Sequence, residues 1–284
     1  MEFTQVDVFC DGPYTGNPLA VFHEAAELSA TQMQDIAREM NLSETSFVIS
    51  ASSDSYNVRI FTPDREIPFA GHPTIGTAWT LLEKGILKGE AFTQASRAGE
   101  TPVRVEGDRF WMERPGTTEP DLEATDPRSL DDIARALGID VGGLGLEARE
   151  LGRSGRLRPA FAHAGLRQLM VPLRDVETLS RCTPPWGLGV AEIGAYCFTA
   201  VGAGRIKARG FWPGLAIPED PATGSAAAGL GLYLAGRLGD IEVEVIQGEQ
   251  IGRPSRMFVR AEKSQVRVGG RCAGVFEARL RELP

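Results

Sequence analysis

The sequence predicts an α+β chain built from two like halves, each a curved mixed β-sheet or barrel wrapped around a central apolar α-helix. Three observations lead there. A pair of motifs recurs at an offset of roughly 150 residues. Short runs of β-branched and aromatic residues dominate both halves. Two segments are apolar or small on every side, and a helix of that kind must be buried.

The repeat comes first because it sets the organisation. Arg59-Ile60-Phe61-Thr62-Pro63, followed by His72-Pro73-Thr74-Ile75-Gly76-Thr77-Ala78, is matched by Arg209-Gly210-Phe211-Trp212-Pro213, followed by Asp220-Pro221-Ala222-Thr223-Gly224-Ser225-Ala226. A weaker match, Gly16-Asn17-Pro18-Leu19-Ala20-Val21 against Gly165-Leu166-Arg167-Gln168-Leu169-Met170, keeps nearly the same offset. Duplication explains three matches in one order, so two pseudo-symmetric domains are expected. The first spans 1–117, with its central helix near 72–84 and a C-terminal strand near 272–282 available to join it. The second spans 118–284, with its central helix near 221–235. The turn formers in Pro115-Gly116-Thr117-Thr118-Glu119-Pro120 mark the linker.

The elements follow in order. Strands are read at 2–9, 46–50, 56–61, 101–105 and 109–113, then at 167–172, 195–200, 206–211, 241–247 and 256–261. Ser29 caps a helix over 30–40, with Gln32 completing a capping box. Another helix starts at Ser129 and ends at Gly138. His72-Pro73 and Asp220-Pro221 each open a central helix, since proline suits the first turn. The first closes at Gly85 and the second at Gly236 or Gly239.

A buried helix start presents unpaired N–H groups and partial positive charge. The small residues Gly76, Thr77, Gly224 and Ser225 let a ligand approach those turns closely. If a pseudo-twofold axis relates the halves, both starts face one cleft suited to a carboxylate. His72 and Asp220 also suit plain N-caps, and the two roles are compatible.

Composition narrows the function. The 284 residues are 42% hydrophobic and 24% charged, a globular balance long enough for two domains. There is no apolar run of membrane-spanning length, and the N-terminus lacks the basic start and apolar core of a signal peptide. A cytoplasmic protein with no membrane partner is expected. The net charge of −8 argues against nucleic acid as a partner. Cys10, Cys182, Cys197 and Cys272 form no CxxC pair, and His23, His72 and His163 are scattered, so no metal site is expected. Neither a GxGxxG nor a Walker motif is present.

Glu44 lies between a helix end and a strand start, where position alone reads as a solvated loop residue. A resemblance reverses that. Six stretches in order resemble the PhzF family of phenazine biosynthesis: Gly16–Phe22, Asn41–Phe47, Arg59–Pro63, Pro68–Ala78, Glu219–Ala226 and Gln247–Ser255. The resemblance implies a diaminopimelate-epimerase-like fold with the active site between its domains. It implies Glu44 as catalytic acid/base, completed by His72 and Asp220. Gly71, Pro73, Gly224 and Ser225 are the expected substrate contacts. Epimerases of this fold usually carry a cysteine at each helix start; here His72 and Asp220 stand there, so a two-thiol mechanism is disfavoured. The implied activity is cofactor-independent isomerisation of a small cyclic carboxylated diene such as trans-2,3-dihydro-3-hydroxyanthranilate, typically by a homodimer. The same proton shift on another natural-product substrate, for example a pyrroline-type diene, stays open. So does a binding protein that kept the fold and lost the chemistry.

Overall fold

The computed structural model describes residues 1–122, 129–185, 194–215 and 217–284. The chain divides into two compact units, Met1–Glu113 with Gly269–Pro284, and Arg114–Val268.

In the first unit the order is β1 (Glu2–Val8), β2 (Asn17–Phe22), α1 (Ala30–Met40), β3 (Thr45–Ala51), β4 (Ser55–Phe61), β5 (Glu66–Ile67), α2 (Gly71–Glu83), β6 (Ala91–Ser96), β7 (Gly99–Glu106) and β8 (Arg109–Pro115). β1 is antiparallel to β2, β2 runs parallel to β3, and β3 is antiparallel to β4. β4 is antiparallel to β5 and parallel to β6, and β6 and β7 form an antiparallel pair. α1 starts on the capping box of Ser29 and Gln32 and stops where Asn41 turns left-handed at φ 50°.

α2 has almost no polar face, and Gly71 to Ala78 are all buried. Gly76 lets it sit against the sheet. A Cβ there would meet Leu19 Cδ2 and Val8 Cγ2 at 2.7 Å each, so any larger residue must push α2 off β1 and β2.

The second unit holds β9 (Thr117–Asp121), α3 (Ser129–Leu137), β10 (Leu146–Glu147), β11 (Arg156–Leu157), β12 (Ala160–His163), β13 (Arg167–Pro172), α4 (Val176–Arg181), β14 (Ala195–Gly202), β15 (Arg205–Trp212), β16 (Ile217–Asp220), α5 (Gly224–Leu238), β17 (Ile241–Gln247), β18 (Ser255–Ala261) and β19 (Gln265–Gly270). β20 (Cys272–Arg279) returns to the first unit and pairs antiparallel with β1. The pairing order of the first unit recurs. β12 is antiparallel to β13, β13 parallel to β14, β14 antiparallel to β15, β15 antiparallel to β16 and parallel to β17, and β17 antiparallel to β18. α5 is as apolar as α2 and is buried from Gly224 to Ala235.

Two expectations need correction. Apart from Gly116, the turn formers at 115–120 are strand rather than linker, and the division falls after Glu113 instead of residue 117. Tertiary pairing overrides their local preference. β9 is antiparallel to β12, and Arg237 donates to Thr118 Oγ1 (2.8 Å), the Glu119 carbonyl (2.9 Å) and Asp121 Oδ1 (2.7 Å). The second central helix starts at Gly224 and runs to Leu238, not 221–235. Asp220 is held back as the last residue of β16, opposite Gly210 of β15, so the helix begins only after Pro221 and Ala222.

Candidate active site

α2 begins after Ala70, and no side chain caps it. His72 is therefore a first-turn residue and not the N-cap. Its ring is 3% exposed, and its Nδ1 lies 3.4 Å from Glu44 Oε2 and 3.3 Å from Asn17 Nδ2. Burial pushes the imidazole down to about 3, against a weaker upward pull from the Pro18 carbonyl. His72 is thus neutral at ordinary pH, and its approach to Glu44 is not an ion pair. His72 Nε2 is buried and without a hydrogen-bond partner among the described residues.

Glu44 comes from the loop between α1 and β3. Its side chain is only 13% exposed, so it is not a solvated loop residue. Two further contacts fix this end of the unit. Thr77 donates to Ser46 Oγ at 3.0 Å, tying the first turns of α2 to β3. Thr74 donates to the Ala70 carbonyl at 2.9 Å and accepts from Gln94 Nε2 at 3.0 Å, while Tyr56 donates to the Thr74 carbonyl at 2.8 Å. Gly71 and Pro73 are buried in the same turn.

The second unit holds Asp220, Gly224 and Ser225. Asp220 is 4% exposed and sits in a strand, so it does not cap α5. Its Oδ2 accepts the Thr223 hydroxyl. Gln247, at the end of β17, donates to the Asp220 carbonyl at 2.8 Å. Ser225 lies in the first turn of α5 and accepts from Gln168 Nε2 at 3.3 Å. The structure therefore brings Glu44 and His72 together, and separately brings Asp220 together with the start of α5.

Asn17, Pro18, Thr223 and Gln247 escaped sequence reasoning as site residues. Their motifs were visible as Gly16-Asn17-Pro18 and Gln247-Gly248, yet nothing local says that Asn17 meets a histidine 55 residues away. Among the described residues no group of His, Cys, Asp and Glu could hold a metal ion. Burial pushes the Cys10 thiol up to about 11, which suits a structural role. No helix among the described residues is long and apolar enough to cross a membrane.

These features define a sheet-dominated α+β protein with a polar centre at the uncapped start of each unit's long helix. The sequence pattern described as "Phenazine biosynthesis-like protein" matches residues 6–278. A trans-2,3-dihydro-3-hydroxyanthranilate isomerase from Pseudomonas chlororaphis is 38% identical, over 92% of this chain and 90% of the relative. An "Uncharacterized isomerase" from Pasteurella multocida is 35% identical, over 95% and 90%. The crystal structure of a phenazine biosynthesis protein of the PhzF family from Bacillus anthracis has the same fold, with a TM-score of 0.82 over 99% of both chains at 24% identity. The chain belongs to the phenazine biosynthesis-like, or PhzF, family.

Proposed function

We propose that this protein is a cofactor-independent isomerase that shifts a proton within a small cyclic carboxylated diene, with trans-2,3-dihydro-3-hydroxyanthranilate as the leading substrate. The observation that carries the proposal is the shielded Glu44 carboxyl set 3.4 Å from a buried, neutral His72. In this reading Glu44, His72 and Asp220 act on one substrate, and the two units are pseudo-symmetric copies, each with a central helix. The repeated strand pairings support that duplication.

Glu44 as carboxylate takes the proton from one ring carbon and returns it to another on the same face. General acid–base catalysis of this kind contributes about 10²–10⁴ in rate, and positioning supplies much of the rest. The buried His72 Nε2 hydrogen-bonds the substrate's hydroxyl or amino group, fixing which carbon faces Glu44. Asp220 assists the proton that completes the enol-to-ketone change. Gly71, Pro73, Gly224 and Ser225 are the proposed substrate contacts, at helix starts whose first-turn N–H groups suit a carboxylate. Electrons stay within the substrate, so the reaction calls for neither nicotinamide nor flavin.

A second reading keeps the chemistry and changes the ring. The named isomerase and the uncharacterized one match this chain almost equally well, at 38% and 35% identity, so identity does not separate their substrates.

The test is incubation with trans-2,3-dihydro-3-hydroxyanthranilate followed by ultraviolet absorbance. Glu44→Gln should stay folded and lose activity by about 10²–10⁴-fold. In D₂O, partial label should appear at the accepting carbon if the Glu44 proton exchanges slowly. Turnover by Glu44→Gln at the parent rate would end the proposal. An inert parent with this compound, but active on a pyrroline diene, selects the second reading. The working form is proposed as a homodimer, with a solution mass of twice the chain's 30.6 kDa by light scattering.

A further inference from the structure

The Gln247-Gly248 motif has no part in the proton shift as described, yet it is packed against the residue that does. Gln247 is 1% exposed at the end of β17. Its Oε1 accepts from the Tyr196 hydroxyl at 2.8 Å and from the Thr223 N–H at 3.3 Å. Its Nε2 donates to the Asp220 carbonyl at 2.8 Å and to Thr223 Oγ1 at 3.1 Å. This leaves no freedom in the amide. Turned over, it would face two donors with a donor and a backbone carbonyl with an acceptor.

The direction then propagates. Thr223 Oγ1 accepts from Gln247, so its own proton goes to Asp220 Oδ2. Thr223 is the N-cap residue of α5, a place where a threonine hydroxyl ordinarily caps the helix. Here it makes no cap bond. The hydroxyl is spent on the carboxylate instead, and Asp220 Oδ2 is fixed as an acceptor.

We propose that Thr223 and Gln247, anchored by Tyr196, are positioning residues that hold the Asp220 carboxylate in one orientation, with Oδ2 accepting from Thr223. The proposal rests on the assignment of Asp220 to the reaction, and it adds residues that assignment does not contain. Titratable groups also stand on the strands around Asp220. From β14 comes Tyr196, whose hydroxyl is pushed well above its usual range, chiefly by burial and then by the Asp220 charge. From β15 and β16 comes the Arg209–Glu219 pair, already closed on itself at 2.7 Å.

The experiment compares Thr223→Val, which deletes the hydroxyl and keeps the shape, with Thr223→Ser, which keeps the hydroxyl. Thr223→Ala makes the same deletion should valine disturb the fold. Asp220 is titrated by ¹³C NMR in full-length protein labelled at aspartate, with Asp220→Asn assigning the resonance. Isomerase kcat, KM and pH profile are measured alongside. Losing a hydrogen bond to the charged form should move the Asp220 titration upward by about one pH unit. kcat should fall about tenfold to a hundredfold with KM little changed, less than loss of a general acid–base group itself, and Thr223→Ser should recover most of both. A Thr223→Val titration that overlays the parent's overturns the proposal, whatever the rates do. Because the titration needs no substrate, a shifted Asp220 resonance in a protein that turns over no diene supports the relay and removes only the functional reading.

Discussion

At the residue scale, a single atom decides more than a residue type does. Glu44, His72 and Asp220 were all legible in the sequence as candidates, but their protonation and orientation were not. His72 is neutral because it is buried in the first turn of an apolar helix, and burial outweighs the Pro18 carbonyl that favours the charged form. Gly248 shows the same dependence. It is left-handed at φ 80°, and a Cβ there would lie 2.3 Å from the Arg253 carbonyl and 2.6 Å from the Pro221 carbonyl. Both contacts are backbone, which cannot swing aside. Gly248→Ala therefore strains the turn and pushes on the loop that carries Asp220. A loss of about 1–3 kcal/mol in urea unfolding is expected, with kcat lowered as well. A variant as stable and as active as the parent would show that this turn is not what seats Asp220.

At the element scale, the repeated Arg-x-Phe-x-Pro motif has a physical account. Arg59 on β4 makes a bidentate pair with Glu66 at 2.9 and 2.7 Å and lies over the Phe61 ring at 5.2 Å. Arg209 on β15 makes a bidentate pair with Glu219 at 2.9 and 2.7 Å and lies over Phe211 at 4.9 Å. In each unit this pair staples the strand to the short strand preceding the central helix. Arg209 does more: its Nη1 donates to the carbonyls of Leu179, Ser180 and Cys182, closing the C-terminus of α4. Its side chain is 9% exposed and that of Glu219 11%, so removing Arg209 leaves a nearly buried carboxylate alone. Arg209→Ala should cost about 3–5 kcal/mol. Arg167→Ala is the control. Its pair with Glu119 has equally short bonds but is 42% and 43% exposed, and such a pair is worth about 0–1 kcal/mol. Equal losses in chemical denaturation would refute the argument from burial.

At the scale of the whole molecule, two histidines tie stability to pH. Burial lowers His23 to about 4 and His72 to about 3, from the usual 6.5. A histidine depressed in the folded state favours folding fully above its unfolded value. That contribution is lost as pH falls from about 6.5 toward 4 for His23 and toward 3 for His72. The urea midpoint should thus decline between pH 7 and pH 4.5, and His23→Gln should flatten part of the decline. A midpoint constant over that range would contradict it. The repeated motif works at this scale as well. The offset of roughly 150 residues was readable because the Arg that pairs with a Glu and the Phe under its guanidinium occur once in each unit. The partner glutamines were not readable. Gln94 and Gln247 both reach the start of their unit's central helix, but each is distant in sequence from its threonine and neither lies in the repeated motif.

The sequence by itself determined the α+β class, the two apolar helices, the α1 capping box and the set of residues around the helix starts. Those follow from periodicity, local capping chemistry and a duplicated pattern, all of which act over a few neighbouring residues. Only the tertiary structure decided that 117–120 is strand, that α5 starts at Gly224, that His72 is neutral, and that Asp220 is held by Thr223 and Gln247. Burial and hydrogen-bond direction are set by groups brought together from distant parts of the chain, and no local pattern encodes which donor will face which acceptor.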